Sequence, residues 1–181
     1  MWIKQVSAIA AFVVGFAACA TAPKTAGEQR DLEAKADVAL QSMRTRDPGL
    51  QGLLDSSAGY VVFPEVGKGG FIVGGAHGRG ILYEHGMRSG FVQLTQASVG
   101  AQIGAQTFSQ LVVFQDAFTV QRLKAGTYTF GANASAVVLS AGAAANARFV
   151  NGVAVFTNPT GGVMAELSLS GQKLDFQGNA G

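Results

Sequence analysis

Between Gly59 and Asp116 the chain alternates short apolar runs with single or paired glycines, and this pattern limits the possible folds more than any other feature. The apolar runs are rich in β-branched and aromatic residues, which favour pleated strands. The glycines between them permit positive φ angles or a close backbone approach, as tight turns require. No helical periodicity interrupts the stretch, so it predicts successive β-strands joined by tight turns.

The same pattern continues to the C-terminus. The predicted strands are 60–63, 71–76, 81–84, 91–95, 98–106, 111–114, 128–139, 153–156, 163–169 and 173–176. Pro64 is expected to end the first strand, His85-Gly86 to form a hairpin turn, and 158–162 to form another turn. About ten short strands are more than one flat sheet usually holds. We therefore expect a mainly β, β-rich α+β fold, built as a compact antiparallel barrel or sandwich that protects its strand edges.

Two helices are predicted outside the strands. Small and apolar residues at three- and four-residue spacing predict a helix over 28–46, which Asp47-Pro48-Gly49 ends. One or two further helical turns are expected between Leu50 and Gly59. Asp116 is the expected N-cap of a short helix over 117–124. The first helix either packs on the β core or lies on a membrane, and its interspersed acidic residues favour packing.

Composition narrows the class of protein. The chain has 181 residues and a formal net charge of +2, an excess too small to indicate a nucleic-acid partner. Twelve phenylalanines spread along it argue against disorder. The 25 glycines follow no three-residue period, which excludes collagen. The length fits one domain.

The first eighteen residues predict a secretory signal peptide. Lys4 precedes an apolar run over 6–18, which is shorter than the ~20 residues that span a bilayer. Residues 16–19, Phe-Ala-Ala-Cys, resemble the bacterial lipobox, in which a lipid is added to the cysteine and the signal is cut before it. Cys19 is the only cysteine, so it has no partner for an internal disulfide. The alternative is ordinary cleavage at an Ala-x-Ala site over 18–22.

These observations divide the chain into a signal peptide (1–18), a lipidated tether (19–27) and a single domain (28–181). Ala20, rather than Asp, follows the cysteine. By the sorting rule generally applied to lipoproteins of Gram-negative bacteria, this favours the outer membrane. The expected location is therefore the periplasmic side of that membrane, with the lipid anchor at Cys19.

Three glycine-anchored blocks occur in order within the β-rich stretch. They are FPEVGKGGFIVGG (63–75), GRGIL (78–82) and SVGAQIGAQ (98–106). Together they resemble the SYLF domain, and the resemblance extends from about Glu28 to the C-terminus. It implies a domain that binds phospholipid or phosphoinositide-type headgroups and, among bacterial members, an exported lipoprotein.

Three cations are the candidate headgroup ligands. Lys68 lies within Gly67-Lys68-Gly69-Gly70, Arg79 lies between two glycines, and Arg88 lies two residues after Gly86. Glycine-rich turns expose backbone N–H groups that cradle phosphates, and a cation adds charge. If the turns gather at one end of the barrel, Lys68, Arg79 and Arg88 form a basic mouth. The alternative for each is a solvated cation in a turn.

No pattern in the sequence indicates catalysis. His77 and His85 are the only histidines, the G-x-S-x-G elbow is absent, and no His and Cys set suits a metal. We therefore expect neither an enzyme nor a cofactor. The expected function is phospholipid binding by a membrane-anchored lipoprotein. The alternative is a structural or interaction role in the cell envelope, with another envelope protein as partner.

Overall fold

A computed structural model describes residue 23 and residues 25–69, 73–99, 106–131, 134–161, 167–169 and 171–178. The helices are α1 (Ala26–Arg46), α2 (Leu50–Ser56) and α3 (Ala117–Lys124), with a 3₁₀ turn at Ala144–Asn146. The strands are β1 (Gly59–Gly69), β2 (Val73–Glu84), β3 (Met87–Val99), β4 (Gln106–Phe114), β5 (Thr127–Thr129), β6 (Ser135–Val138), β7 (Val153–Gly161), β8 (Leu167–Ser168) and β9 (Gln172–Gly178).

The strands form one sheet in the order β5-β9-β3-β2-β1-β4-β7-β6-β8. Every pairing is antiparallel except that of β6 with β7. The predicted β-rich α+β class is confirmed, and the sheet is curled like half a barrel. Its two end strands, β5 and β8, are short, which limits the exposed edge.

A pair of glutamines shows the direction of the curl. Strands β4 and β9 are separated by β1, β2 and β3, so a flat sheet would hold them about 19 Å apart. Yet the Nε2 atom of Gln110 on β4 donates to Oε1 of Gln172 on β9 at 2.9 Å. The sheet must therefore curl over the face that carries these side chains. We call this the inner face; its core includes Phe63, Phe108 and Phe114 and is closed on one side by Val120 and Leu123 of α3.

The opposite face is covered by helices, and we call it the helix face. Residues of α1 and α2 pack there on Tyr60, Val62 and Ile81. Asp47, at the corner between the two helices, is buried and accepts hydrogen bonds from the N–H groups of Gly49 (3.1 Å), Gly142 (3.2 Å) and Ala144 (2.7 Å). It thereby ties the helical corner to the 3₁₀ turn.

Several predicted strand ends are wrong because prolines lie inside strands. Strand β1 continues past Pro64, with a register shift between Val62 and Glu65. A β-bulge of this kind accommodates a residue that has no N–H to donate. Likewise, the predicted turn over 158–162 falls in β7 as far as Gly161, including Pro159. The predicted strands 71–76 and 81–84 belong to one strand, β2, over the described residues.

The predicted strand 128–139 is also wrong. Strand β5 pairs with β9 near one end of the sheet, whereas β6 pairs with β7 near the other end. Phe130 and Ala136 are both buried in the inner core. Strands β5 and β6 are therefore separate strands near opposite ends of the sheet, and the apolar run over 128–139 does not form one strand.

Other predictions are confirmed. Helix α3 spans 117–124, and the Asp116 side chain accepts from the Thr119 N–H at 2.8 Å. His85 and Gly86 have φ angles of 52° and 74° in the β2–β3 hairpin, as a type I′ turn requires. Helix α1 begins two residues before its predicted start. The signal peptide, Cys19 and most of the glycine-rich segment 98–106 lie outside the described residues. None of the helices within the described residues is long and apolar enough to cross a bilayer.

Candidate functional site: a groove along α1

Helix α1 leaves part of the helix face uncovered. A helix with its side chains is about 10–12 Å wide, whereas the five strands from β3 to β7 span about 19 Å. One flank of α1 contacts the sheet closely, since Glu33 forms an ion pair with Arg88 of β3. Burial and the nearby carboxylate of Asp37 raise the pKa of Tyr83 on that flank. The other flank borders a groove made of two adjoining cavities.

The first cavity is mainly apolar and has a volume of about 450 Å³, within the range of small-ligand pockets. It lies between α1 and strands β1, β4 and β7. Its apolar lining includes Ala34, Val38, Ala39 and Pro64. Val38, at the rim, is 71% exposed. We call this space the apolar cavity.

A buried amide lines the apolar cavity. Asn158 on β7 is only 3% exposed, and its Nδ2 atom donates to Ser42 Oγ on α1 at 3.3 Å. Its Oδ1 atom is buried and has no hydrogen-bond partner among the described residues. A buried acceptor without a partner costs about 1–3 kcal/mol. Asn158 therefore carries an unsatisfied acceptor in the wall of the apolar cavity.

The second cavity, of about 360 Å³, carries the charges. We call it the charged cavity. Asp31 and Lys35 of α1, Glu65 of β1, and His77 and Arg79 of β2 line it. Lys35, Pro64 and Glu65 line both cavities, so the two adjoin along α1.

The charged groups of this cavity are only partly paired. Lys35 Nζ lies 2.8 Å from Asp31 Oδ2, and this hydrogen bond and the charge of Asp31 raise the pKa of Lys35. Glu65 and Arg79 are direct cross-strand partners. Neither of them is in an ion pair with any residue that the structure describes. Their charges are therefore open to a ligand.

The structure separates the three predicted headgroup ligands. Arg79 lies in the middle of β2 rather than in a turn, and it lines the charged cavity. Lys68 pairs with Ala76 and Arg88 with Tyr83. Those partners are seven residues apart on β2, or about 23 Å.

The predicted basic mouth at one end of the sheet is therefore wrong. Arg88 is engaged with Glu33 on the far flank of α1. The side chain of Lys68 lies outside the described residues, as does Cys19. Binding of a headgroup by Lys68 and lipidation of Cys19 stay predictions.

Sequence reasoning missed Lys35, Val38 and Asn158. Lys35 and Val38 each lie one position before a buried residue of the apolar stripe of α1, and this placement beside the stripe could have indicated a flank of the helix. Asn158 gave no signal, because an Asn-Pro pair is typical of turns. Its burial follows only from the continuation of β7 through Pro159.

The remaining ionisable groups form no second constellation in the described part of the chain. Glu84 accepts hydrogen bonds from Ser89 and from Lys124 at 2.9 Å. Burial opposes ionisation of Glu84, but these hydrogen bonds outweigh it and lower the pKa. Over the described residues, no group of three His, Cys, Asp or Glu side chains could hold a metal ion.

Comparisons with known proteins do not assign the chain to a family. No protein-family model matches the chain, and no curated protein matches it.

Proposed function

We propose that the domain binds a membrane phospholipid in the groove along α1. The observation that carries the proposal is that an apolar cavity and a charged cavity adjoin and share Lys35, Pro64 and Glu65. A phospholipid has the same division into an apolar and a charged part. An acyl chain fits the apolar cavity, and a headgroup fits the charged one.

The headgroup contacts follow from the cations. Arg79 offers a planar guanidinium that forms two parallel hydrogen bonds with phosphate oxygens. Lys35 adds a second cation on the opposite wall, and its long stem also lines the apolar cavity. The two side chains hold a phosphate at the boundary of the two cavities.

The resemblance to the SYLF domain supports the same proposal. Two of the three blocks that carry it, 63–75 and 78–82, supply Pro64, Glu65 and Arg79 to the groove. The resemblance implies headgroup binding, and the groove offers a place for it.

In the cell, we propose, the domain belongs to a lipoprotein anchored through Cys19 on the periplasmic side of the outer membrane. A lipid bound in the groove would add a second attachment near the start of the domain, because α1 begins at Ala26.

Blocking the apolar cavity tests the proposal. The chain from residue 19 onward with Cys19→Ser cannot be acylated and contains every described helix and strand. Its affinity for dihexanoyl phospholipids below their micelle concentration is measured by native mass spectrometry. Val38→Trp fills the rim of the cavity and should weaken binding by at least about tenfold.

The matched control is Gln41→Trp. Gln41 is exposed on the same helix, one turn away, and lines neither cavity. It should bind lipid as the unmodified chain does. Equal affinity of the two tryptophan variants, or no lipid bound by the unmodified chain, would disprove the proposal.

The second candidate function is that of an envelope component that binds another protein. Phe118 of α3 is 74% exposed and lines one surface cavity together with Val150, which is 47% exposed. Exposed apolar groups that lie together are typical of interaction surfaces. A single envelope protein that cross-links at Phe118, combined with an absence of lipid binding, would favour this candidate.

A further inference from the structure

The charges of the groove indicate which phospholipid it takes, an inference that rests on the proposed function. We propose that the groove selects a phospholipid whose headgroup carries an ammonium group beside its phosphate, in preference to an anionic phospholipid.

The first step of the argument is the balance of charge. Lys35 and Arg79 contribute two positive charges to the charged cavity, and Asp31 and Glu65 contribute two negative charges. Apart from His77, the charges of the lining therefore cancel. A ligand of net negative charge gains little from such a lining, whereas a ligand with both signs has a partner for each.

The second step is the placement of the charges. Glu65 and Arg79 are directly opposed on neighbouring antiparallel strands, where Cβ atoms lie about 4.5–5.5 Å apart. Both side chains line the charged cavity, and neither is in an ion pair with another described residue. A phosphate on Arg79 therefore leaves an ammonium on the same headgroup within reach of Glu65.

The third step is discrimination against the alternative. The phosphate of an anionic phospholipid with an uncharged alcohol headgroup would also reach Arg79. Glu65 would then lie beside a phosphate with no cation between them, and its charge would oppose binding. Selectivity of this kind comes from a repulsive contact as well as from an attractive one.

The apolar cavity indicates that the ligand is a lipid rather than a free zwitterion. It adjoins the charged cavity and shares Glu65 and Lys35 with it. A water-soluble headgroup without acyl chains would leave about 450 Å³ of mainly apolar space unfilled. The occupant is therefore an amphiphile rather than a small polar metabolite.

Three ligands test the inference on the Cys19→Ser chain. They are dihexanoyl phosphatidylethanolamine, dihexanoyl phosphatidylglycerol and glycerophosphoethanolamine, which has no acyl chains. We expect the ethanolamine lipid to bind about three- to fivefold tighter than the glycerol lipid, as suits one partly exposed charge pair. Glycerophosphoethanolamine should bind at least about tenfold more weakly than the ethanolamine lipid.

Two variants assign the preference to Glu65. Glu65→Gln should lose the preference for the ethanolamine lipid, since the amide neither attracts the ammonium nor repels the phosphate. Asp55→Asn removes the same charge from α2, outside both cavities, and should keep the full preference. Arg79→Gln should weaken the binding of both lipids.

The outcomes separate this inference from the proposed function. If both lipids bind equally to the unmodified chain, or the glycerol lipid binds tighter, the selectivity is wrong while phospholipid binding stands. Loss of the preference in Asp55→Asn as well would also overturn the assignment to Glu65. If neither lipid binds, the proposed function itself fails. If glycerophosphoethanolamine binds as tightly as its lipid, the site takes a free zwitterion, and both proposals fail.

Discussion

The two faces of the sheet are buried in different ways. On the inner face the sheet buries itself, because its curl brings side chains of distant strands into contact. Gly80 on β2 leaves room for this, since a Cβ atom there would lie 2.7 Å from the ring of Phe63. On the helix face the long helix α1 is narrower than the surface on which it lies, and α2 and the 3₁₀ turn cover other parts of that surface. The inner face is therefore a packed core, whereas the helix face has a groove beside α1.

The difference indicates where stability and function reside. Side chains of the inner face have many neighbours and little freedom, so changes there should unfold the protein. The groove flank of α1 has exposed apolar and charged groups that the core does not need. Changes there should alter binding and leave folding intact. Four predictions test this contrast, from the largest expected effect to the smallest.

Phe63→Ala should reduce the free energy of unfolding by about 3–5 kcal/mol, since Phe63 is fully buried in the inner core. Phe118→Ala also removes a phenyl ring, but at a position that is 74% exposed, and should change the free energy of unfolding by less than about 0.5 kcal/mol. Urea unfolding of both variants makes the comparison. Similar losses in the two variants would show that the inner face is not a packed core.

Asp47→Ala should reduce the free energy of unfolding by about 3 kcal/mol, because three backbone N–H groups lose a charged acceptor. Burial opposes ionisation of Asp47, but the hydrogen bonds from Ala144, Gly142 and Gly49 outweigh it and lower its pKa below the ordinary value of an aspartate. The unfolded state then takes up the proton more readily than the folded state.

The stability that Asp47 provides is therefore complete above about pH 4 and is lost as the pH falls through the depressed folded-state pKa. Unfolding curves between pH 2 and pH 6 should show a smaller acid-dependent loss in Asp47→Ala than in the unmodified chain. Asp55→Ala, an exposed change on α2, serves as the control. Parallel pH profiles for the unmodified chain and Asp47→Ala would contradict the role of the carboxylate.

Asp116→Ala should cost about 1 kcal/mol of stability, since the Asp116 carboxylate caps α3 through the Thr119 N–H at 2.8 Å. Gln115→Ala changes the exposed residue just before it and should have little effect. Chemical denaturation measures both. If Asp116→Ala reduces the free energy of unfolding as much as Asp47→Ala does, the packing of α3 on the inner face contributes more stability than a helix cap alone.

Arg88→Gln should have the smallest effect, below about 1 kcal/mol, because its ion pair with Glu33 is partly exposed. The effect should shrink further in high salt. Lipid binding should be unchanged in Arg88→Gln and weakened in Arg79→Gln, since only Arg79 lines the groove. Equal losses of binding in the two variants would show that Arg88 also contributes to lipid binding. This result would contradict the assignment of the binding site to one flank of α1.

Local chemistry made much of the fold predictable. The Asp116 cap, the His85-Gly86 turn and the end of α1 at Asp47 depend on a few adjacent residues, and all three were predicted. Pro64 and Pro159 were misread because a strand tolerates proline only where a bulge or an edge removes the need for an N–H. Which of these applies depends on the partner strand.

The candidate site depends even more on contacts that the sequence alone does not reveal. The sequence alone determined a β-rich domain with one long amphipathic helix, since glycine spacing and apolar periodicity act through the chain itself. The tertiary structure alone decided that Arg79 joins Lys35 while Lys68 and Arg88 lie about 23 Å apart along the strand direction. Strand register sets such distances, and register depends on pairings between residues far apart in the sequence.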